Sequence, residues 1–339
     1  MSSRSQAGYV VAVVGATGAV GSVLLDVLHE RSFPIAELRP LASERSAGSS
    51  VAFAGRALEV QVARPEAFDS TDFVFFAATG SLSKTLAPEV VARGGIVIDK
   101  SSTWRMDDTV PLVVPEVNAA ALDDHRGIIA CPNCTTIGFV MTLEPLRRRA
   151  GLEAVVATTL QAVSGAGLPG LEELRVQQLA LHDGRPAPPP QTFAAPIANN
   201  VVPLCDVLGE DGFSGEEAKL LEETRKILAL PDLAVSITCV RVPVPTGHSA
   251  SMLVQTTRPL PVSEAIQALA DFPGIVVTEN GCLPTPAAVA GRDEVLVGRV
   301  RKDLHSDGLW LWQVSDNLRK GAATNAVQIA EEIIRRGLR

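Results

Sequence analysis

The feature that most constrains the fold is a glycine-rich turn near the N-terminus. A β-rich apolar run, Tyr9–Val14, leads into Gly15, Gly18 and Gly21, and a helical pattern follows over residues 22–30. Glycines allow the backbone to turn tightly and to approach a pyrophosphate, while the helix N-terminus supplies unpaired N–H donors. Because the spacing is GxxGxxG rather than GxGxxG, a plain strand–helix turn stays open as the alternative.

Hydrophobic patterning indicates two kinds of domain. Buried strands are predicted at residues 73–78 and 96–98 with a helix over 83–93, and such alternation is typical of a parallel sheet covered on both faces. Beyond about residue 130 the pattern indicates an α+β domain with a mixed or antiparallel sheet. Its predicted helices and strands lie at residues 136–149, 153–160, 171–182, 235–244, 250–257, 275–278 and 310–314, with a loop at 164–170 and a further helix from Ser214. An amphipathic helix at 322–336, stopped by Gly337, ends the chain.

Composition excludes several classes of protein. The net charge of −8 disfavours a nucleic-acid binder, which normally carries a basic surface. The longest uncharged run, residues 7–25, contains the three glycines, so we expect no membrane span, and the first ten residues predict no secretory signal. Five cysteines spread over 339 residues form no disulfide framework, which favours the reducing cytoplasm.

A second motif, Cys131-Pro-Asn-Cys134-Thr-Thr, precedes a predicted helix. A C-x-x-C pair can bind zinc or perform redox chemistry, but no second Cys or His pair follows at zinc-finger spacing, so we expect no metal. The favoured interpretation makes Cys134 a nucleophile at a helix N-terminus, where the helix dipole favours the thiolate. A small buried hydrophobic side chain is the alternative.

The third motif, residues 241–249 (RVPVPTGHS), combines Arg241 with His248. Arginine offers a bidentate fork to a carboxylate, and histidine titrates near neutral pH. The two residues therefore fit substrate binding and proton transfer, although a lone histidine is more often structural.

The end of the second predicted strand favours NADP as cofactor. An acid there would bind the ribose 2′-hydroxyl of NAD, whereas an arginine can receive a 2′-phosphate. Ser43, Arg45 and Ser46 suit the phosphate, and Glu44 argues for NAD if it points inward. A solvated charged loop is the alternative.

Taken together, these motifs resemble the bacterial aspartate-β-semialdehyde dehydrogenase family. The segments that carry the resemblance run through the chain in order: residues 13–21 (VVGATGAVG), 41–48 (LASERSAG), 101–118 (SSTWRMDDTVPLVVPEVN), 132–137 (PNCTTI), 161–167 (QAVSGAG), 241–249 (RVPVPTGHS) and 316–330 (DNLRKGAATNAVQIA). The resemblance implies an α/β fold with a Rossmann-type NADP-binding domain over residues 1–130, completed by the C-terminal helix 318–339. Residues 131–317 would form the catalytic and dimerisation domain with a mixed sheet.

The resemblance also implies the activity and the residues that serve it. The reaction would be the reversible conversion of L-aspartate 4-semialdehyde, inorganic phosphate and NADP to 4-phospho-L-aspartate and NADPH, in a homodimer that makes precursors of lysine, methionine and threonine. The implied catalytic residues are Cys134 (thioester nucleophile), His248 (general acid/base) and Gln161. The implied substrate-binding residues are Arg241 for the carboxylate, Arg105 for phosphate, and Glu216 and Lys219. The implied cofactor contacts are Gly15, Thr17, Gly18, Ala19, Val20, Gly21, Ser43, Arg45, Ser46, Ser164, Gly165 and Asn317.

Three rival interpretations stay open at this point. Another acyl-phosphate reductase, such as N-acetylglutamyl-phosphate reductase, would share the thioester chemistry, and a substrate panel distinguishes it. A catalytically silent nucleotide-binding paralogue would lack the joint presence of Cys134, Gln161, Arg241 and His248. A zinc module built on Cys131 and Cys134 would show stoichiometric metal. The proline-rich stretch at residues 185–196 receives no function.

Overall fold

The computed structural model describes residues 8–278 and 282–339, which form two compact units. The first unit runs to Pro132 and includes Ala322–Arg339, and the second is Asn133–Gly321. Residues 1–7, on which the expectation of no secretory signal partly rests, lie outside the described residues. Among the helices described, none has the length and apolar character needed to cross a membrane.

The first unit is an α/β layer structure. Its strands are β1 (Tyr9–Val14), β2 (Ile35–Ala42), β3 (Ser50–Phe53), β4 (Arg56–Glu59), β5 (Gln61–Val62), β6 (Phe73–Phe76), β7 (Ile96–Asp99) and β8 (Ile128–Ala130). Its α-helices are α1 (Ala19–Glu30), α2 (Gly80–Ala92), α3 (Pro115–Asn118) and α9 (Thr324–Arg336).

Six of these strands form one parallel sheet in the order β5-β2-β1-β6-β7-β8. After β1 the chain adds β2 and β5 on one side of it, and then β6, β7 and β8 on the other side. The strand order therefore reverses between β1 and β6. In open α/β sheets, ligands bind beyond the carboxyl ends of the strands at such a reversal. Strands β6 and β7 are buried along their whole length, as a sheet covered on both faces requires.

The C-terminal helix α9 completes this unit by packing against α1, α3 and β7. Its buried Asn325 donates from Nδ2 to Val113 O at 3.0 Å and to Cys131 Sγ at 3.2 Å. The last segment of the chain therefore stabilises the first domain.

The second unit is built around a mixed sheet. Its helices are α4 (Cys134–Ala150), α5 (Gly167–His182), α6 (Gly215–Leu228), α7 (Val262–Ala270) and α8 (Pro286–Val289). Its strands are β9 (Ala154–Gln161), β10 (Ala234–Arg241), β11 (His248–Gln255), β12 (Ile275–Val277), β13 (Val295–Lys302) and β14 (Leu309–Ser315), in the order β10-β9-β11-β14-β13-β12.

The pairing directions bring three predicted site residues to one edge of this sheet. Strands β9 and β10 are parallel and end together, with Gln161 opposite Arg241. Strand β11 is antiparallel to β9 and begins there, with Ser249 opposite Leu160, so His248 starts its strand at the same edge.

The predicted α/β class, with a parallel Rossmann-like sheet and a second mixed sheet, is confirmed. The loop predicted at residues 164–170 is wrong, because a 3₁₀ turn at Val163–Ala166 leads directly into α5 at Gly167. Pro169 is tolerated in the first turn of α5, where backbone N–H groups have no helical acceptor. The strand predicted to reach Val244 ends at Arg241, since Pro243 cannot donate to a ladder.

The predicted C-terminal helix is also corrected at its start. A π-helical turn, Arg319–Ala323, precedes α9, and the α-helix begins at Thr324 rather than at residue 322. Its end agrees with the prediction, because Gly337 adopts a left-handed conformation with φ of 65°.

Candidate active site

Cys134 is the first residue of α4, and Asn133 caps that helix. The Asn133 Oδ1 accepts hydrogen bonds from Thr135 N at 2.8 Å and Thr136 N at 3.4 Å. Cys134 is half-buried, whereas Cys131, Cys205 and Cys239 are buried. A thiol at the start of a helix lies in the positive field of the peptide dipoles, which favours its ionised form.

Two carboxylates of α6 hold the cap residue in turn. Glu223 Oε2 accepts from Asn133 N at 2.7 Å, and Glu216 accepts from Asn133 Nδ2 at 3.0 and 3.1 Å. Both carboxylates are buried, with 1% exposure for Glu223 and 7% for Glu216. The start of α6 is itself fixed by a capping box between Ser214 and Glu217. These contacts fix the start of α4, and hence the backbone of the thiol residue.

A cavity of about 420 Å³ is lined by three of the predicted substrate-binding residues, Glu216, Lys219 and Arg241. Lys219 Nζ pairs with Asp206 Oδ2 at 2.5 Å and lies 3.7 Å from Glu216 Oε2. The cavity therefore presents cations and carboxylates together, a combination that suits a small zwitterionic ligand.

Asp206 and Cys205 are cavity residues that sequence reasoning missed. Burial alone would raise the pKa of Asp206, but the hydrogen bond and charge of Lys219 hold it below its ordinary value. Burial raises the pKa of Cys205 to about 12, with smaller effects from Arg241, Glu216 and Cys134. A thiol with so high a pKa stays protonated near neutral pH, so Cys205 is not a nucleophile there.

The proline-rich segment also contributes to this cavity. Thr192, Phe193 and Ala194 line it, and the Arg241 guanidinium lies 5.8 Å from the centroid of the Phe193 ring. A cation over an aromatic face is held by the ring quadrupole. The proline-rich segment, for which no function was predicted, therefore contacts a predicted substrate-binding residue.

The peptide of Ala162 connects Arg241 with His248. Ala162 N donates to His248 Nδ1 at 3.0 Å, and Arg241 Nη1 donates to Ala162 O at 2.7 Å. His248 is fully buried, and its Nε2 has no hydrogen-bond partner among the residues described. Burial, with a smaller effect from the Arg241 charge, holds the pKa of His248 well below its ordinary value.

Gln161 and Gly165 lie in the same segment as Ala162. Gln161 is buried at the end of β9 and donates from Nε2 to Thr159 Oγ1 at 3.3 Å. Gly165 lines the cavity, and a Cβ there would stand 2.7 Å from Arg241 Nη1 and 3.2 Å from His248 Nε2. Glycine at 165 therefore leaves room beside both side chains.

The predicted cofactor contacts of the second unit are joined by hydrogen bonds. Asn317 Nδ2 donates to Ser164 Oγ at 2.9 Å, and Asn317 Oδ1 accepts from Gly247 N at 2.9 Å. Asn317 thus links the segment after β14 to the turns that hold Ser164 and His248.

In the first unit, the glycine turn fits a dinucleotide phosphate. Gly15 has φ of 86°, and a Cβ there would meet Ala77 O at 2.3 Å. A Cβ at Gly21 would stand 2.0 Å from Gly15 O, whereas one at Gly18 would meet Gly15 O at 3.3 Å. The turn is therefore tightly packed on its protein side, and α1 begins at its end with Thr17, Gly18, Ala19 and Val20 at or beside the helix N-terminus.

The remaining predicted residues of this unit differ in exposure. Ser43 and Arg45 are exposed and Ser46 is half-buried, in the turn that follows β2. Arg105 is 7% exposed and donates to Cys131 O at 3.1 Å and Lys100 O at 2.6 Å. These contacts make Arg105 a buried arginine that donates to backbone carbonyl groups.

Among the described residues, no group of three or more His, Cys, Asp or Glu side chains is placed to hold a metal ion. Cys131 Sγ instead accepts a hydrogen bond from Asn325, as part of the packing of α9.

Comparison with known proteins matches both units to domains of semialdehyde dehydrogenases. The family model described as "Semialdehyde dehydrogenase, NAD binding domain" matches residues 10–125, and "Semialdehyde dehydrogenase, dimerisation domain" matches residues 143–320. The aspartate-semialdehyde dehydrogenase of Aquifex aeolicus is 48% identical, over 98% of this chain and 99% of the relative. That of Bacillus subtilis is 47% identical, over 96% and 97%.

Solved structures are similar along the whole chain. Aspartate semialdehyde dehydrogenase II from Vibrio cholerae, complexed with ASA, has a TM-score of 0.94 at 44% identity, over 97% of this chain and 98% of that one. The enzyme of Candida albicans, solved with NADP, has a TM-score of 0.77 at 28% identity, over 96% and 98%.

Proposed function

The chain belongs to the aspartate-semialdehyde dehydrogenase family, and on that premise we propose which of its residues carry the reaction. It is an NADP-dependent oxidoreductase of amino-acid biosynthesis. The reaction is the reversible conversion of L-aspartate 4-semialdehyde, phosphate and NADP to 4-phospho-L-aspartate and NADPH. In the biosynthetic direction NADPH reduces the acyl phosphate.

The observation that carries the residue assignment is Cys134 at the first position of α4, next to the fixed cap residue Asn133. An aldehyde gives up hydride readily only after a nucleophile has made its carbon tetrahedral. Cys134 thiolate supplies that nucleophile and afterwards holds the aspartyl group as a thioester, which phosphate can attack. NADP, which the glycine turn Gly15–Gly21 would hold, would supply the hydride acceptor.

The cavity beside Cys134's cap supplies the groups that hold the substrate. Arg241 binds the α-carboxylate, Glu216 the amino group and Lys219 the phosphate, because each charge meets its opposite. Gln161 contacts the substrate near the nucleophile, and His248 serves the carbonyl oxygen as the acid–base residue. Arg105 is proposed as a second phosphate ligand.

The two units divide the work between cofactor and substrate. We assign NADP to residues 1–130 with 318–339, held through Gly15, Gly18 and Gly21, with Arg45 and its neighbouring serines at the 2′-phosphate. Residues 131–317 carry catalysis, with Ser164, Gly165 and Asn317 as further cofactor contacts.

A homodimer fits the second sheet. Helices α4 and α7 pack on one face of it, whereas Val156 is 48% exposed on β9 and Trp310 and Trp312 of β14 are half-buried. A second copy would cover this apolar surface. Light scattering should give a dimer, and Val156→Asp should weaken it. The five cysteines form no disulfide framework, which favours a cytoplasmic location.

The activity is tested by NADPH formation from aspartate semialdehyde, measured spectrophotometrically with phosphate present and omitted. We expect formation only with phosphate. N-acetylglutamate semialdehyde in the same assay tests the other acyl-phosphate reductase, and faster turnover of that substrate would overturn the proposal.

A further inference from the structure

The hydrogen bond between Ala162 and His248 defines where the imidazole carries its proton. A backbone N–H can only donate, so His248 Nδ1, 3.0 Å from Ala162 N, must present its lone pair. In a neutral imidazole one nitrogen is the acceptor and the other carries the hydrogen. The neutral ring of His248 therefore has its hydrogen on Nε2.

The surroundings of His248 oppose the imidazolium form. A second proton would have to go on Nδ1, where it would face the N–H of Ala162. Arg241 is the charged group whose field acts on the ring, and its Nη1 is bonded to the carbonyl of the same Ala162 residue. Ser315, whose hydroxyl is not ionisable near neutral pH, lies opposite His248 across the sheet, and Gly165, which has no side chain, lies beside Nε2.

We propose that the peptide of Ala162 holds His248 as a neutral Nε2–H donor to the carbonyl oxygen of the substrate, and that His248 is not the base that ionises Cys134. Ala162 is then a positioning residue that acts through its backbone alone. The proposal rests on the proposed function, and it replaces the acid–base role given to His248 there with that of a hydrogen-bond donor which keeps its proton.

The chemical step balances without a proton leaving His248. Cys134 loses its proton to solvent before substrate binds, and the thiolate sulfur then forms a bond to the aldehyde carbon. The carbonyl π pair moves to oxygen, and Nε2–H stabilises the oxyanion by a hydrogen bond. When the oxyanion re-forms the carbonyl, the C–H bond breaks and its electron pair leaves as hydride to NADP. The thioester remains.

Cavity geometry supports the donor role. His248 Nε2 is without a partner in the part of the chain that the structure describes, and it would lie 3.2 Å from a Cβ at Gly165, a residue that lines the substrate cavity. A buried donor left unpaired is costly, and an oxyanion is the partner that would satisfy it.

The first test measures the ionisation of Cys134 directly. Alkylation by iodoacetamide is followed against pH in a Cys282→Ser background, because Cys282 is the exposed cysteine that would also react. We expect His248→Asn to leave the alkylation pKa of Cys134 unchanged while kcat falls by about 10²–10³, as for loss of an oxyanion donor. A rise of the alkylation pKa by about one unit or more would overturn the proposal, since it would make His248 the partner of the thiolate.

The second test removes only the N–H of residue 162. Ala162 has φ of −62° and follows a strand residue, so proline fits its backbone. Ala162→Pro should lower kcat, leave KM for NADP unchanged and introduce an ionisation near the ordinary histidine pKa of about 6.5 into the pH profile of kcat. Ala162→Ser keeps the N–H and is the matched control.

The outcomes separate this inference from the proposed function. The role of the peptide would be refuted if the pH profile of kcat were the same for Ala162→Pro and Ala162→Ser, in proteins that unfold at the wild-type temperature. Absence of phosphate-dependent NADPH formation in the wild type would refute the proposed function, and the alkylation test needs no substrate.

Discussion

Gly21→Ala sets two physical effects against each other in the glycine turn. Gly21 is the third residue of α1 and is buried. In an unobstructed helix, alanine at such a position stabilises the fold by about 0.8–1 kcal/mol relative to glycine. Here the added Cβ would stand 2.0 Å from Gly15 O and 2.8 Å from Ala16 Cα. These are backbone atoms, so no change of rotamer can relieve the overlap.

We expect the steric overlap to outweigh the gain in helix propensity. Inserting a methyl group into a packed site costs about 1–3 kcal/mol, and rigid neighbours put the cost at the upper end. After the gain in helix propensity, we expect a net loss of about 1–2 kcal/mol in the free energy of unfolding, or roughly 2–8 °C in Tm. Because Gly15 belongs to the proposed phosphate turn, the displacement should also weaken NADP binding.

Thermal unfolding and fluorescence titration with NADPH measure both effects, and Gly18→Ser is the matched control. A Cβ at residue 18 meets only Gly15 O, at 3.3 Å, and serine is a favourable residue at this N-cap. The control should therefore unfold within about 1 kcal/mol of the wild type. A Gly21→Ala protein that is more stable than the wild type would show that propensity outweighs the overlap and would refute the reasoning.

Three further changes test other parts of the molecule. Cys134→Ser should reduce phosphate-dependent NADPH formation by orders of magnitude while NADPH titration still shows binding; retained activity would exclude the thioester. Asp206→Asn removes the carboxylate that pairs with Lys219, and asparagine tolerates the backbone φ of 70° at this position. Because Lys219 would then be available to phosphate, KM for phosphate should fall severalfold. A rise in KM would instead mean that the ion pair orients the lysine. Hydrogen bonds from Ser306 and Trp310 lower the pKa of Asp303 from 3.8 to about 2, so its stabilisation is present above pH 4 and is lost as pH falls toward 2. Asp303→Asn should flatten the pH dependence of the unfolding free energy in that range, as measured by urea titration.

Local patterns predicted those parts of the fold in which one short segment determines its own structure. Strand β1 and the glycine turn were predicted because three glycines between an apolar run and a helix leave few conformations open. Helix α4 was predicted within two residues of its start, because the apolar run before Arg147 is helix-like.

Strand β13 was missed because its pattern is broken. Gly298 lies within Val295–Lys302, the register with β14 shifts between Gly298 and Arg301, and the charged residues that follow are exposed. Such an irregular strand is defined by its neighbour across the sheet rather than by its own alternation. The hairpin β3–β4 and helix α7 were missed as well, because β3 and β4 have four residues each and α7 has nine, which is too short for a clear period.

The candidate site divides in the same way. Cys134, Arg241 and His248 carry side chains with distinctive chemistry, so motifs containing them could be recognised. Glu223 reaches Asn133 across 90 residues of sequence, and no local pattern in α6 distinguishes it from the other surface-like acids of that helix. Only the packing of α6 against α4 shows that this carboxylate is buried and bonded to the cap of the nucleophile helix.

Ala162 shows why part of such a site is invisible in a single sequence. Its contribution is one N–H to His248 and one C=O to Arg241, and nineteen of the amino acids would supply the N–H equally well. Its own side chain carries no chemistry, so the residue type reports only that the position is buried and small. Such a role restricts the sequence only by excluding proline at this position. Proline would match the local φ of −62°, but it has no N–H to donate to the imidazole. A backbone hydrogen bond to a titrating side chain is therefore found from coordinates and tested by that single substitution.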